Sequence, residues 1–106
     1  MDAKLKQQWI EALRSGKYEQ TKEALHSGDG YCCLGVLCDI SRLGSWEGEN
    51  YEVPDDLGEL RTLKGELEFL RESFGIGNDQ ERTLIRMNDD DGLNFDAIAD
   101  YIERAI

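Results

Sequence analysis

The first part of the chain contains one clear helical pattern. Apolar residues recur at spacings of three and four, with polar residues between them, at Leu5, Trp9, Ile10 and Leu13. This spacing predicts a helix over about residues 3–15, and Gly16 suits the left-handed residue that ends it. Residues 17–26 contain few large apolar side chains, so they predict either a short helix or an extended arm. Residues 27–30, Ser-Gly-Asp-Gly, have the composition of a turn.

The least polar segment of the chain runs from Tyr31 to Ile40. Its apolar side chains cover most sides of a helix, which is typical of a central helix packed against several neighbours. Gly35 within this helix costs about 1 kcal/mol relative to alanine, so we expect a neighbouring element to pack closely over the glycine. The helix is predicted to end near Leu43 and Gly44.

Residues 45–53 predict a loop with at most one short strand, around Tyr51 to Val53. Pro54 suits the start of a helix, where Asp55 and Asp56 would face the positive end of the helix dipole. A stripe of apolar residues spaced by three and four follows, and it predicts a helix of about twenty residues. Its members are Leu57, Leu60, Leu63, Leu67, Leu70 and Phe74.

Two shorter helices are predicted after Gly75-Ile76-Gly77. Asn78 and Glu81 have the spacing of a capping box, which would open the first of them. Residues 88–92, Asn-Asp-Asp-Asp-Gly, predict a loop. Asn94 then suits the N-cap of the last helix. The side chains expected to point inward from that helix are Phe95, Ile98, Ala99 and Ile102.

Together these elements predict a mainly α fold, with about five helices and at most a short two-stranded β element. An α+β arrangement is the alternative. At 106 residues the chain has the length of one compact domain, and 40% hydrophobic residues suffice for one core. No repeat, linker or low-complexity tract divides residues 1–106, so we predict a single domain.

The net charge of −11 comes entirely from the second part of the chain. Residues 1–46 hold six acidic and six basic residues, whereas residues 47–106 hold 17 acidic and 6 basic ones. This acidity disfavours binding to nucleic acid through its phosphates and to anionic membrane surfaces. It favours an interaction surface in the second part of the chain, with a merely solvated surface as the alternative.

Three cysteines and one histidine are the candidates for metal binding or thiol chemistry: Cys32, Cys33, Cys38 and His26. Structural zinc sites usually combine two paired-cysteine knuckles, and this sequence has no second knuckle. Adjacent cysteines rarely reach disulfide geometry, so a reducing compartment fits best. No apolar run is long enough for a signal peptide or a membrane span. We therefore expect a cytoplasmic protein with buried, structural cysteines and no metal.

Other catalytic patterns are weak in this sequence. Residues 88–92 suggest a calcium loop, but with Gly92 at its sixth position the first and last ligands would be Met87 and Ile98. A turn leading into a helix N-terminus is the preferred interpretation of this acidic run. Phosphate-binding glycine loops are absent, and a single histidine offers little basis for an activated nucleophile. We therefore predict no catalytic residue, no cofactor and no enzymatic activity.

Three segments together resemble a family of small uncharacterised proteins common in bacteriophage and prophage genomes. They are residues 9–20 (WIEALRSGKYEQ), residues 31–39 (YCCLGVLCD) and the C-terminal residues LIRMND and FDAIADYIE. Residues 46–77 match the family poorly. The resemblance implies a phage-linked origin and a site of action in the cytoplasm of an infected or lysogenic bacterium. It implies no catalytic residue.

The leading functional hypothesis is non-enzymatic binding to a bacterial host protein, with inhibition of a defence or regulatory system as its effect. The alternatives are a nucleic-acid mimic that occupies a basic nucleic-acid-binding surface, a metal-binding protein, and a small structural or assembly protein. Trp46 and Tyr51 fit two interpretations, anchors of a binding surface or packing of a loop onto the core. The predicted partner-binding residues are Trp46, Glu47, Glu49, Tyr51, Glu52, Asp55, Asp56, Glu59, Asp89, Asp90 and Asp91.

Overall fold

A computed structural model describes residues 2–22, 24–54, 60–63 and 74–106. Within these ranges the chain forms helices and short strands that together make an α+β fold. The helices are α1 (Ala3–Arg14), α2 (Cys33–Ser41), α3 (Asn78–Asp89) and α4 (Phe95–Ala105). The strands are β1 (Glu19–Gln20), β2 (His26–Ser27), β3 (Gly30–Tyr31), β4 (Ser45–Glu47), β5 (Asn50–Pro54) and β6 (Leu60–Leu63).

The prediction of a mainly α fold with about five helices is wrong, and the error lies chiefly in residues 45–54 and 60–63. These residues form a three-stranded antiparallel sheet in the order β4-β5-β6. Pro54 does not start a helix but ends β5, opposite Leu60 of β6. The spacing of the leucines shows that the segment is apolar, but it does not decide between a helix and a strand. Pairing with β5 makes residues 60–63 a strand, and a local sequence pattern does not reveal that partner. Other members of the predicted helix lie outside the described residues: Asp55, Asp56, Leu57, Leu67 and Leu70.

A second small sheet, in the order β1-β3-β2, lies between α1 and α2 along the chain. The extended interpretation of residues 17–26 is therefore the correct one for β1. Strand β3 pairs in parallel with β1 and antiparallel with β2, which places His26 opposite Tyr31. Gly28 turns the chain between β2 and β3 at a φ of 57°, in the left-handed region that glycine adopts without steric cost.

Helix α1 agrees with its predicted bounds, and helix α4 agrees with its predicted N-cap. Helix α1 begins where the Asp2 side chain accepts a hydrogen bond from the Leu5 backbone amide at 2.8 Å. Helix α4 begins where Asn94 Oδ1 accepts one from the Ala97 amide at 2.9 Å. The four side chains expected to point inward from α4 are all buried. Both predictions hold because a cap and a helical stripe are local features.

Helices α2 and α3 differ from prediction at their ends. Helix α2 stops at Ser41, because Arg42 adopts a left-handed conformation with φ 57°. Gly77, rather than Asn78, is the N-cap of α3, and its amide donates to Gln80 Oε1 at 3.0 Å. Helix α3 also extends to Asp89, into the predicted loop. None of the helices in the described ranges has the length and apolarity needed to cross a membrane.

The core forms around α2, which contributes six buried residues over Cys33–Cys38. Helix α1 packs against α2 and α4, and α3 packs against α2 and α4. The indole Nε1 of fully buried Trp9 donates to the Cys33 carbonyl at 2.9 Å. The expected close packing over Gly35 is confirmed, because a Cβ atom added there would collide with the Leu25 carbonyl group. Helix α2 is thus the central element that positions both sheets.

Candidate functional site

Five aromatic side chains gather at the C-terminal end of α2. Tyr18 precedes β1, His26 and Tyr31 are a cross-strand pair on β2 and β3, and Trp46 and Tyr51 are a cross-strand pair on β4 and β5. Both sheets therefore deliver rings to the same helix end. We refer to Tyr18, His26, Tyr31, Asp39 and Trp46 as the aromatic–carboxylate cluster; each member is partly buried.

The rings of the cluster are in mutual contact. His26 stacks on Tyr31 with centroids 4.1 Å apart and an interplanar angle of 15°. Tyr18 meets Tyr31 edge-on at 5.1 Å, and Trp46 lies 5.0 Å from His26 and 5.6 Å from Tyr31. Aromatic pairs at such spacings contribute about 0.5–1.5 kcal/mol each beyond burial. The rings therefore form a preorganised surface.

Asp39 lies among these rings as the acceptor of two side-chain hydrogen bonds. Tyr18 Oη donates to Asp39 Oδ2 at 2.6 Å, and Trp46 Nε1 donates to Asp39 Oδ1 at 3.0 Å. Both donors are neutral, so they orient the carboxylate without cancelling its charge. In the described ranges, no lysine, arginine or histidine nitrogen lies within 4.0 Å of it.

The charge of Asp39 acts on the neighbouring phenols. Burial, and then the hydrogen bond to Asp39, raise the pKa of Tyr18. Burial, and then the charges of Asp39 and Asp29, raise the pKa of Tyr31. Both tyrosines therefore stay protonated at neutral pH, so they add no negative charge of their own to the cluster.

Tyr51 is a buried residue that packs against Trp46 of the cluster. Its side chain is 1% exposed, and its hydroxyl accepts a hydrogen bond from the Gly44 amide at 2.6 Å. Tyr51 packs against Cys38, and its ring centroid lies 4.9 Å from that of Trp46. Of the two interpretations for these aromatics, core packing describes Tyr51. Trp46 both packs on the core and keeps part of its surface exposed.

The predicted acidic residues separate into two groups. Glu47 and Glu49 are exposed at the tip of the β4–β5 hairpin, next to the cluster, and Glu52 is partly buried on β5. Asp89, by contrast, acts electrostatically on Cys32 at the opposite end of α2. The remaining predicted residues, Asp55, Asp56 and Glu59, lie outside the described part of the chain.

The acidic run Asp89–Asp91 first ends α3, and the turn expected to lead into a helix N-terminus follows at residues 90–91, ahead of α4. Asp89 is the last residue of α3, Asp90 is its C-cap, and both Asp90 and Asp91 amides donate to the Arg86 carbonyl. Acids at a helix C-terminus face the negative end of the dipole, which disfavours them. Arg86 Nε offsets part of this at 3.5 Å from Asp91.

A family model described as Domain of unknown function (DUF8296) matches residues 1–106. The chain belongs to this family. Searches of curated proteins and of solved structures found no match. Family membership thus covers the whole chain and assigns no activity, so function has to be argued from the site itself.

The three cysteines of this DUF8296 member are buried free thiols, as expected. Cys32 Sγ caps α2 by accepting a hydrogen bond from the Gly35 amide at 3.3 Å, and Cys33 Sγ donates to the Leu84 carbonyl at 3.7 Å. His26 is engaged elsewhere, with Nδ1 2.8 Å from the Gly30 carbonyl. Within the described ranges there is no group of three or more His, Cys, Asp or Glu side chains arranged to hold a metal ion.

We expect all three thiols to resist modification while the protein is folded. Burial raises their pKa values, that of Cys32 from 9.0 to about 11, and the thiolate is the reactive species. Titration with a chromogenic disulfide reagent at pH 8 should detect no fast thiol in native protein and three in urea. A fast native thiol would contradict this.

The same pKa shifts predict lower stability in alkali. A thiol whose folded pKa exceeds its unfolded value stabilises the fold fully below the unfolded pKa. For Cys32 that contribution is complete below pH 9 and declines as the pH rises toward about 11. Urea unfolding between pH 8 and pH 10.5 measures the loss.

An open depression of about 620 Å³ between α3 and α4 is the second candidate surface. The acidic residues at its rim already have a basic side chain as their partner. A guanidinium nitrogen of Arg14 lies 2.6 Å from Asp100 Oδ1 and 2.9 Å from Glu103 Oε2. Asp39 has no such partner among the described residues, which makes the aromatic–carboxylate cluster the better candidate. The depression is lined by Met87, Leu93, Ala97, Asp100, Glu103 and Arg104.

The sequence patterns did not single out Asp39, Tyr18 or Tyr31 for the site. One signal was present: Asp39 is the only charged residue between Tyr31 and Ile40, and it falls in the last turn of α2. An acid there opposes the helix dipole, so its placement needs a tertiary reason.

Proposed function

We propose that this protein acts by non-enzymatic binding to a bacterial host protein in the cytoplasm, through the aromatic–carboxylate cluster and the adjoining β4–β5 hairpin. The observation that carries the proposal is the carboxylate of Asp39, held among partly exposed aromatic rings with no cationic partner in the described ranges. Aromatic anchors beside charged groups are typical of binding hot spots.

The hairpin adds further negative charge on a fixed support. Glu47 and Glu49 are exposed at its tip. Trp46 ties the hairpin to α2 through Asp39, and the Tyr51 hydroxyl lies 3.5 Å from Ser41 Oγ of α2. Asp29, exposed in the β2–β3 turn, contributes to the potential felt by Tyr31. A rigid acidic surface selects a basic partner and speeds its encounter.

The resemblance to phage and prophage proteins supports a host protein as the partner and inhibition of a defence or regulatory system as the effect. A host protein with a basic nucleic-acid-binding surface has the required charge. The binding surface is a mixture of aromatic rings and carboxylates, so the proposed interaction does not depend on imitating the regular charge spacing of a nucleic acid.

Charge reversal at the hairpin tip tests the proposal. We expect Glu49→Lys to reduce capture of the partner from bacterial lysate about tenfold, because like charges across an interface repel. The tagged full chain and the variant are compared by quantitative mass spectrometry of retained proteins. Glu11→Lys on the exposed side of α1 makes the same charge change away from the hairpin and should leave capture unchanged.

Two results would contradict the proposal. One is wild-type protein that enriches nothing over the Glu49→Lys variant. The other is an equal loss of capture with Glu49→Lys and Glu11→Lys. Thermal unfolding of each variant, followed by circular dichroism, verifies that both charge reversals leave the fold intact.

A further inference from the structure

We infer that the carboxylate of Asp39, a partly buried residue, is the binding site for one arginine side chain of the partner, which we call the seat. This inference rests on the proposed function and adds the chemistry of the central contact. It follows from the unused acceptor capacity of the carboxylate, the local charge at the end of α2 and the rings around Asp39.

The carboxylate has room for further donors. An ionised carboxylate offers about four acceptor positions on its two oxygens. Tyr18 Oη and Trp46 Nε1 take one position each, on different oxygens. The remaining positions also lie on both oxygens, which is the arrangement that a guanidinium meets with two parallel N–H donors.

The electrostatics at this point favour a cation. Asp39 lies in the last turn of α2, where the helix dipole adds negative potential and where no basic residue is present. Arg42, the nearest base along the chain, is exposed and makes no ion pair with Asp39. A bound cation therefore relieves both the carboxylate charge and the dipole.

The rings favour arginine over other cations. Tyr31, His26 and Trp46 form contiguous, partly exposed aromatic surface beside the carboxylate. A planar guanidinium stacks on such rings while donating in its own plane, whereas a lysine ammonium is a compact point charge with no planar fork. A quaternary ammonium ion has no N–H to donate. The expected order of affinity is arginine, then lysine, then tetramethylammonium.

The two indole N–H groups of the full chain allow a direct test by ¹H–¹⁵N NMR. Trp46 Nε1–H bonds to Asp39 and reports the seat, while Trp9 Nε1–H bonds to the Cys33 carbonyl in the core and is the internal control. Titration with Nα-acetyl-arginine amide should shift the Trp46 signal to saturation with a Kd of about 1–30 mM, the range of a single contact. The Trp9 signal should stay in place.

Matched variants assign the contact to the carboxylate. Asp39→Asn removes the charge with little change of shape and should weaken arginine amide binding at least tenfold. Asp96→Asn makes the same change on the exposed side of α4 and should leave it unaltered. If Asp39→Asn does not fold, Tyr31→Leu tests the stacking surface instead, with an expected loss of about fivefold.

The inference is overturned if arginine amide causes no saturable Trp46 shift, if lysine amide or tetramethylammonium binds equally well, or if Asp39→Asn, folded by circular dichroism, binds as well as wild type. These results are separable from the hairpin test. Loss of capture by Glu49→Lys without an arginine effect at Trp46 would retain the proposed function and reject the seat. The reverse result would retain the seat and reject the hairpin as a partner surface.

Discussion

Gly35→Ala is expected to destabilise the protein by about 3 kcal/mol or more, at the upper end of the cost of overpacking a core. An added Cβ would collide with the Leu25 carbonyl oxygen and lie 2.8 Å from the Leu25 carbonyl carbon. That carbonyl group cannot easily move away, because it accepts a hydrogen bond from the Cys32 amide at 3.1 Å and directly precedes β2. The midpoint of thermal unfolding should fall by more than about 10 °C.

Gly77→Ala is the matched control for this prediction. A Cβ at Gly77 would have the Gln80 side chain as its neighbour, at an ordinary 3.8 Å, and the φ of −76° suits any residue. Alanine is a weaker N-cap than glycine, so a loss below about 1 kcal/mol is expected. Similar losses of stability in the two variants would show that the close approach of Leu25 to α2 does not require a glycine at position 35.

Asn88→Asp is expected to cost about 3–5 kcal/mol at pH 7, the usual effect of an uncompensated buried charge. Asn88 is 1% exposed. Its Oδ1 accepts from Gln20 Nε2 at 2.9 Å, and its Nδ2 donates at 2.8 Å to both the Thr21 carbonyl and Asp89 Oδ1. Aspartate would set a carboxylate oxygen against those two acceptors. Urea unfolding measures the loss.

The pH dependence of this variant has a definite sign. Burial and the charge of Asp89 would raise the folded pKa of a carboxyl at position 88 above its unfolded value of about 3.9. The protonated form is then the one tolerated in the fold, so the penalty is full well above the folded pKa and shrinks as the pH falls toward 4. The stability gap to wild type should narrow between pH 7 and pH 4.5.

Asn94→Asp makes the same change at an exposed N-cap and is the control. Aspartate caps helices as well as asparagine and interacts favourably with the helix N-terminus, so no loss of stability is expected. A loss at Asn88→Asp no larger than that at Asn94→Asp would mean that the hydrogen bonds that Asn88 Nδ2 donates to the Thr21 carbonyl and to Asp89 Oδ1 contribute little.

The sequence alone does not decide whether the pair Asn88-Asp89 serves packing or function. In sequence the pair belongs to an acidic run and to the segment that resembles phage proteins. The structure gives Asn88 a packing role, because its amide connects the end of α3 to the chain around β1. No sequence pattern distinguishes a buried asparagine from an exposed one, since both suit the end of a helix.

Helices α1 and α4, the buried cysteines and the close approach over Gly35 were all predictable from the sequence. Each is indicated by a local pattern: a cap three residues away, an apolar stripe at helical spacing, or a glycine in an otherwise apolar helix. That Leu25 is the neighbour over Gly35 is known only from the structure. The β4–β5–β6 sheet was not predictable, since strand pairing does not follow from a local pattern and Pro54, which pairs with Leu60, resembled a helix start.

The sequence by itself determined which segments are helical at either end of the chain, that α2 is central, and that the net negative charge lies beyond residue 46. Only the tertiary structure decided that Tyr18, Tyr31 and Trp46 meet around Asp39. The physical reason is that a carboxylate's partners are chosen by where two separate sheets place their rings, and sheet pairing is a long-range property. The candidate seat for a cation therefore depends on the fold, because the sequence contains each of its residues but does not show that they lie together.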